Sequence, residues 1–331
     1  MPQKTFQNIE LEDVIRTFVP HPVVKIKLLK GGNVNQSYLA ETAHGRYALQ
    51  YLAPAIPSEA ANAAVEVANM LNAAGLMAPR FLKDNTGGTM HTMPSGDRFR
   101  MYDFIPGKTY DVAPTPAVVQ SAAHILQKTH AILAHQTPLL HPIPHFHDTP
   151  YIKHKLEERL ERLPAEVNAL GHDVHRELGE ALLTPQEAGP NIPIHGDPKL
   201  SNFIFDDSDT TVGIIDLDTT MYHSKFIDIG DAMRSWCNPC MEDDPASALS
   251  APYVEAFIAG YLGTDATLEE RRVMLKATRL IALELSARFL IDVVDDNYFG
   301  FDAAKWPTRR AHNIARAQAQ YNLAASAQHF A

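Results

Sequence analysis

The stretch Ile194-His195-Gly196-Asp197-Pro198-Lys199-Leu200-Ser201-Asn202, followed by Gly213-Ile214-Ile215-Asp216-Leu217-Asp218, constrains this chain more than any other feature. An H-x-D-x-K-x-x-N loop, a short apolar run, an Asp-rich turn, a second short apolar run and then Asp describe a two-stranded ribbon. Such a ribbon gathers acids and an amide at one end. That set suits phosphoryl transfer, which needs a carboxylate beside the attacking hydroxyl and oxygen ligands for a magnesium ion that spreads charge over phosphates. On this reading Asp197 at the loop tip accepts the hydroxyl proton and Lys199 touches the transferred group. Asn202 enters the first strand and reaches the metal, and Asp216 completes the metal site from the neighbouring strand. Polar turn residues can match one short motif without function. Here the downstream Asp falls at ribbon distance, and a β-rich segment precedes the loop.

Charge and composition narrow the class. Lys plus Arg total 29 and Asp plus Glu total 39, for a formal net charge of −10, which argues against a general nucleic-acid binder. Hydrophobic residues make up 45%, as in globular proteins. Cys237 and Cys240 have C-x-x-C spacing, but no second pair accompanies them, so two free thiols are expected rather than a zinc site or a disulfide framework. Met1 to Phe18 has no apolar signal core, and no apolar run is long enough to span a membrane. A cytoplasmic protein without a membrane or nucleic-acid partner is the expectation; oligomeric state is not legible.

Along the chain, Val23 to Leu29, Ser37 to Glu41 and Arg46 to Leu52 read as strands. Ser58 is a candidate N-cap for an Ala-rich helix to about Ala74, ended by Gly75, and Thr89 to Met93 pairs with Arg98 to Phe104 across a Pro-Ser-Gly-Asp turn. Beyond Pro106-Gly107 helices dominate: Pro116 to Ala134, Tyr151 to Leu163, Leu268 to Val294 and Thr308 to Ser326, with strands at Phe203 to Phe205 and Val212 to Leu217. The expected fold class is α+β with two lobes, residues 1–105 forming a small antiparallel β lobe with one helix and 106–331 a larger, mainly helical lobe. The His- and Pro-rich segment between Ala134 and Tyr151, with His135, His141, His145 and His147, is expected to be a structural or solvent-facing loop rather than a metal site.

The catalytic loop resembles that of the aminoglycoside phosphotransferase-like small-molecule kinases. Tyr47-Ala48-Leu49-Gln50, Gly196-Asp197-Pro198-Lys199, Ile215-Asp216-Leu217-Asp218-Thr219 and Gly230-Asp231-Ala232-Met233-Arg234 look most like the N-acetylhexosamine 1-kinase branch. So do Glu284 to Leu290, Asn297-Tyr298-Phe299, and His312-Asn313 through Arg316 to Gln318. The resemblance implies a protein-kinase-like fold, ATP and Mg2+, and transfer to the anomeric C1 hydroxyl of an N-acetylated amino sugar. It implies Asp197 as base, Asn202 and Asp216 as metal ligands, and a phosphate-covering turn at Gly31, Gly32, Asn33, Val34 and Asn35. It also implies a nucleotide edge near Met101, Tyr102 and Phe104, with Asp228 and Asp231 bracing the loop. Asp231 and Arg234 equally fit a plain helix-start acid and its i, i+3 partner.

One position departs from the wider kinase pattern. Strand three carries Gln50 where a phosphate-pairing Lys is usual, and Gln brings no charge; Lys199 could supply part of it, with Glu66 left facing solvent. Asp218, Arg288 and Tyr298 are the candidate sugar contacts, although Arg288 could pair with Glu284 or Asp292 on its own helix and Tyr298 could be a core aromatic. Two other functions stay open: a kinase of an amino alcohol or aminoglycoside, such as choline, homoserine or an antibiotic, and a catalytically silent binding protein of the same fold.

Overall fold

The computed structural model describes residues 4–29, 35–54 and 56–330. The first part of the chain runs α1 (Asn8–Phe18), β1 (Val23–Leu28), β2 (Gln36–Thr42), β3 (Gly45–Leu52), α2 (Ser58–Ala73), β4 (His91–Thr92) and β5 (Arg98–Asp103). The strands form one antiparallel sheet of order β1-β2-β3-β5-β4. Alternation along β5 sends Phe99 and Met101 into an outer core with Leu11, Val14 and Ile15 of α1 and Leu49 of β3. Arg100, between them, points to the opposite face and bonds across to Gln50 and Asp218.

The remainder runs α3 (Pro116–Leu133), α4 (Thr149–Glu157), α5 (Ala165–Glu180), α6 (Pro185–Ala188), β6 (Asn191–Ile194), β7 (Phe203–Phe205), β8 (Thr211–Ile214) and β9 (Met221–Ser224). It continues with α7 (Lys225–Trp236), α8 (Ala251–Leu262), α9 (Leu268–Asp295) and α10 (Arg309–Ala327). Two antiparallel ribbons, β6 with β9 and β7 with β8, carry the catalytic loop between them. Helix α9 starts in a Thr267/Glu270 capping box and is the central strut, packed against α4, α5, α7 and α10. Its buried residues lie on nearly every side, as expected of a helix inside a bundle. Helix α2 belongs to the β part by sequence, yet Val67, Ala68 and Leu71 join the core of the helical part, so one helix couples the two lobes. The two-lobed α+β architecture expected from sequence is present.

Several local expectations change. Pro57, not Ser58, is the N-cap of α2; the Ser58 hydroxyl accepts a hydrogen bond from Arg98 Nη1 at 2.9 Å. The strand expected over Thr89 to Met93 shrinks to His91–Thr92. The helix expected from Tyr151 ends at Glu157 and gives way to a 3-10 turn, Leu160–Arg162. The strand expected to reach Leu217 stops at Ile214, because Asp216 adopts a left-handed conformation (φ 63°) that no strand accommodates. Asn202 closes a 3-10 turn, Leu200–Asn202, just before β7. Cys237 is buried and both thiols are free. Among the described residues no helix is long and apolar enough to cross a membrane.

Candidate active site

The loop after β6 is held from below by buried α7. Asp228 accepts the backbone N–H of His195 at 2.7 Å and of Gly196 at 2.8 Å, and its carboxylate also meets His130 Nε2 at 2.9 Å. Burial alone would raise the Asp228 pKa, but His130 and these donors hold it below the ordinary carboxylate value. Gly196 has φ 85°, and a Cβ there would lie 2.3 Å from the Thr219 carbonyl, so only glycine fits the turn. Trp236 Nε1 donates to the Pro198 carbonyl at 2.9 Å, and Asn202 Nδ2 to the Asp197 carbonyl at 2.9 Å. The loop backbone is thus tied at several points, and the Asp197 side chain is left at its tip, one-fifth exposed.

Lys199 Nζ lies 2.6 Å from Asp197 Oδ2. Burial pulls the Lys199 pKa down, but the charges of Asp197, Asp216 and Asp231 outweigh it and raise it. Asp216 goes the other way: burial, then the charges of Asp218 and Asp197, push it up to about 6. A left-handed, desolvated carboxylate crowded by like charge is a strained arrangement that a cation would relieve.

The donor chemistry fits a magnesium ion shared with phosphates. Asn202 spends its amide N–H on the loop and keeps Oδ1, and Asp216 offers a carboxylate close by. Among the described residues no cluster of three or more His, Cys, Asp or Glu forms a cage. Magnesium characteristically takes one or two protein carboxylates and completes its shell with water and substrate phosphate.

Toward the sheet, Asp218 occupies a different place from the sugar-contact role expected of it. Its side chain is 3% exposed and pairs with Arg100, Nη1 to Oδ1 at 2.8 Å and Nη2 to Oδ2 at 2.6 Å. Asn35 Nδ2 adds a third bond at 3.0 Å, and Asn35 Oδ1 accepts from the Ala53 N–H. Gln50 is directly opposite Arg100 in the β3–β5 register and accepts from its Nε at 2.7 Å. Asp218 therefore has no free oxygen facing an acceptor; it closes a buried bridge between the lobes. Gly31, Gly32, Asn33 and Val34 lie outside the described residues. Of the expected nucleotide edge, Tyr102 is buried, and burial with the charges of Asp216 and Asp218 pushes its pKa up to about 12 despite Arg100. Met101 instead packs into the outer core, its carbonyl taken by Leu82 N–H, because strand alternation points it away from the cleft. Phe104 N–H bonds the Arg46 carbonyl, and the Phe104 ring lies under the Arg46 guanidinium. A cavity of about 390 Å³ is lined by Asn72, Met77, Arg80 and residues 103–106, Phe104 of the expected nucleotide edge among them, and by none of Asp197, Lys199, Asn202 or Asp216.

Away from the sheet, α9 supplies the wall. His147 Nδ1 faces Glu284 Oε1 at 3.0 Å and its Nε2 faces the Gly196 carbonyl at 2.9 Å. Both partners are acceptors, so both ring nitrogens carry protons and His147 is an imidazolium. Burial opposes that charge, yet Glu284 raises the His147 pKa; reciprocally, His147 and Thr149 keep Glu284 low against its own burial. One turn further on, the Arg288 guanidinium sits 5.5 Å from the Phe146 ring, 5.8 Å from Tyr298 and 5.6 Å from Phe299. The intrahelical pairings considered for Arg288 are not made. Glu284 is committed to His147 and Thr149, while Asp292 caps the loop by accepting from the N–H groups of Asn297, Tyr298 and Phe299 and from Asn313 Nδ2. Tyr298 is 63% exposed, its hydroxyl 3.3 Å from Arg288 Nη2, which is no core aromatic. Asp231 is paired with Arg234 at 2.5 Å, Glu242 with Arg316 at 3.4 Å and Asp243 with His312 at 3.2 Å.

The ribbon thus brings Asp197, Lys199, Asn202 and Asp216 together, with Arg100, Gln50 and Asn35 closing the sheet side and His147 and Glu284 anchoring the loop from α9. Residues 25–274 match the model of the phosphotransferase enzyme family. The chain belongs to that family. It is a phosphotransferase, and its fold is the two-lobed protein-kinase-like fold of the family. Among solved structures it is similar to a microcompartment-associated aminopropanol kinase, at 17% identity and TM-score 0.65 over 94% of this chain and 95% of that one. It is also similar to wild-type aminoglycoside 2'-phosphotransferase-IIIa in its GDP complex, at 13% identity and TM-score 0.66 over 95% and 99%. A choline/ethanolamine kinase family protein from Mesorhizobium loti gives 21% identity and TM-score 0.57 over 90% and 92%. Likeness at these identities concerns the fold.

The sequence reading of the phosphotransferase passed over Arg100, His147 and Glu284. The sheet register alone sets Arg100 opposite Gln50. His147 falls in the segment expected to be a structural or solvent-facing loop, and Glu284 enters only within the Glu284 to Leu290 resemblance and as a possible ion-pair partner of Arg288.

Proposed function

We propose that this phosphotransferase moves the γ-phosphoryl group of ATP to the C1 hydroxyl of an N-acetylhexosamine or a related sugar. The carrying observation is the charge of the acceptor wall. Asp231, Glu242, Asp243, Glu284 and Asp292 all have partners within the protein, whereas Arg288 is ringed by aromatic faces. A cationic acceptor such as choline, an amino alcohol or an aminoglycoside would meet the Arg288 guanidinium on this wall. A neutral sugar suits the same wall: Arg288 donates to ring hydroxyls or an acetamido carbonyl, and an aromatic face covers the apolar side of the ring. The choice of the anomeric hydroxyl rests on the resemblance of the Asp216-Leu217-Asp218-Thr219 and α9 segments to the N-acetylhexosamine 1-kinase branch.

In this reading Asp197 takes the proton of the acceptor hydroxyl as its oxygen attacks the γ-phosphorus and the bond to the β–γ bridging oxygen breaks. Lys199 stands beside the base, its charge aimed at the transferred group. Asn202 and Asp216 would hold Mg2+, which neutralises phosphate charge when bound. Asp228 and His147 keep the loop that carries Asp197 in one position, so catalysis is chiefly alignment and charge stabilisation. The test is an acceptor screen with Mg2+ and ATP, with the product read by phosphorus NMR. An anomeric phosphate from an N-acetylhexosamine supports the reading; phosphorylation confined to choline, homoserine or aminoglycosides overturns it.

A further inference from the structure

We propose that Arg100 replaces the strand-three lysine of this fold, as the sheet-side cation that meets the phosphates of the nucleotide. This rests on the nucleotide-dependent phosphotransfer proposed above. Gln50, at the lysine position, carries no charge, but the residue directly across the sheet from it is Arg100, bonded to Gln50 Oε1 at 2.7 Å. The guanidinium is also fixed from the side, lying 4.8 Å from the Phe81 ring. A kinase lysine is ordinarily held by an acid on the helix after strand three. Here Glu66 of that helix is exposed, and the acid that holds the cation comes instead from the other lobe, Asp218.

The swap of partner follows from the swap of side chain. A lysine ammonium is a point charge, whereas the arginine fork can grip a carboxylate with two parallel bonds and still offer other donors. Of five N–H groups on Arg100, one goes to Gln50 and two to Asp218, which leaves two for phosphate oxygens. Asp218 lies beside Asp216 in sequence, so the grip also ties the candidate metal-binding segment to the sheet. Asn35, immediately before β2, bonds the same carboxylate. A nucleotide cation and a lobe-to-lobe tie are thereby one side chain.

The experiment measures Mg-ADP affinity by calorimetry, with ATP and acceptor KM in parallel and a melting curve for each variant. The double variant R100Q/D218N removes both charges without leaving one buried and unpaired. Its ADP Kd and ATP KM should rise roughly 10- to 100-fold, the worth of charge-assisted hydrogen bonds, with acceptor KM within about twofold. Adding Gln50→Lys to that background should restore most of the lost affinity, which a purely structural role for Arg100 would not allow. R100K, which keeps the charge and loses the fork, should bind ADP within about fivefold of the parent. Parental ADP affinity in the folded double variant overturns the proposal. So does a loss that Gln50→Lys fails to relieve, or an R100K loss as large as that of the double variant. A parent protein that binds no nucleotide overturns the phosphotransfer reading itself, whereas a binding parent with an indifferent double variant overturns only the part assigned to Arg100.

Discussion

On the half of the cleft that faces the sheet, Asp197, Asp216 and Asp218 crowd together, and burial with like charge drives Asp216 up to about 6. On the half that faces α9 and α10, every acid named above has a partner, and the conspicuous group is a cation, Arg288, among three aromatic rings. In the first half Asp197 is engaged by Lys199 and Asp218 by Arg100, which leaves the Asp216 carboxylate for a divalent ion. In the second the named acids are engaged in hydrogen bonds, and Arg288 with its flat aromatic faces is left for a ligand. The contrast teaches that net charge, here −10, says little about either half, because what a ligand meets is the charge left over after internal pairing.

Substitutions in each half should separate in size and in the parameter they move. The largest effect is expected on the sheet-facing half. Asp197→Ala should lower kcat by roughly 10²- to 10⁴-fold, the span of general-base catalysis, with ADP affinity retained in calorimetry. Turnover near the parent level would remove Asp197 from the chemistry.

Next is the buried pair behind the loop. Glu284→Gln removes the carboxylate that holds the His147 proton, so the buried ring loses its charge, and should cost about 1–3 kcal/mol in denaturant unfolding, the span for a lost hydrogen bond to a charged group. The pair also gives a pH dependence. His147 has a folded pKa raised above its unfolded value of about 6.5, so its contribution is complete below that value and is lost as pH rises through the folded pKa. Melting temperature followed from pH 6 upward should fall along a step in the parent that is absent from Glu284→Gln. Identical profiles would break the assignment of His147 as a cation.

The smallest effect belongs to the acceptor wall. Arg288→Gln should raise acceptor KM by roughly tenfold while ATP KM stays within about twofold, as for the loss of a charge-assisted bond. Arg288→Glu should shift the ratio of kcat/KM toward amino-alcohol acceptors and away from sugars. A rise in ATP KM with unchanged acceptor KM would move Arg288 to the other half of the cleft and blur the contrast.

The β strands and long helices were legible because their periodicity is local. Leu280, Leu283, Ala287 and Leu290 step along one buried face of α9, and Gly75 (φ 81°) stops α2 where glycine signals it. Helices α1, α5, α7 and α8 went unread. In α7 even Asp228, Asp231 and Arg234 are buried, which defeats a polar-out, apolar-in reading. The candidate set Asp197, Lys199, Asn202 and Asp216 could be grouped from sequence because its members flank one short ribbon, so sequence spacing nearly equals spatial spacing.

By itself the sequence determined that Asp197, Lys199, Asn202 and Asp216 lie near one another, because a short stretch of chain joins them. Tertiary structure decided the partners of Asp218, Glu284 and Arg288. Asp218 is 118 residues from Arg100, and Glu284 is 137 residues from His147. Over such separations the pairing depends on how the sheet, the loop and α9 pack, and on the need to match every buried charge, neither of which is written in local spacing.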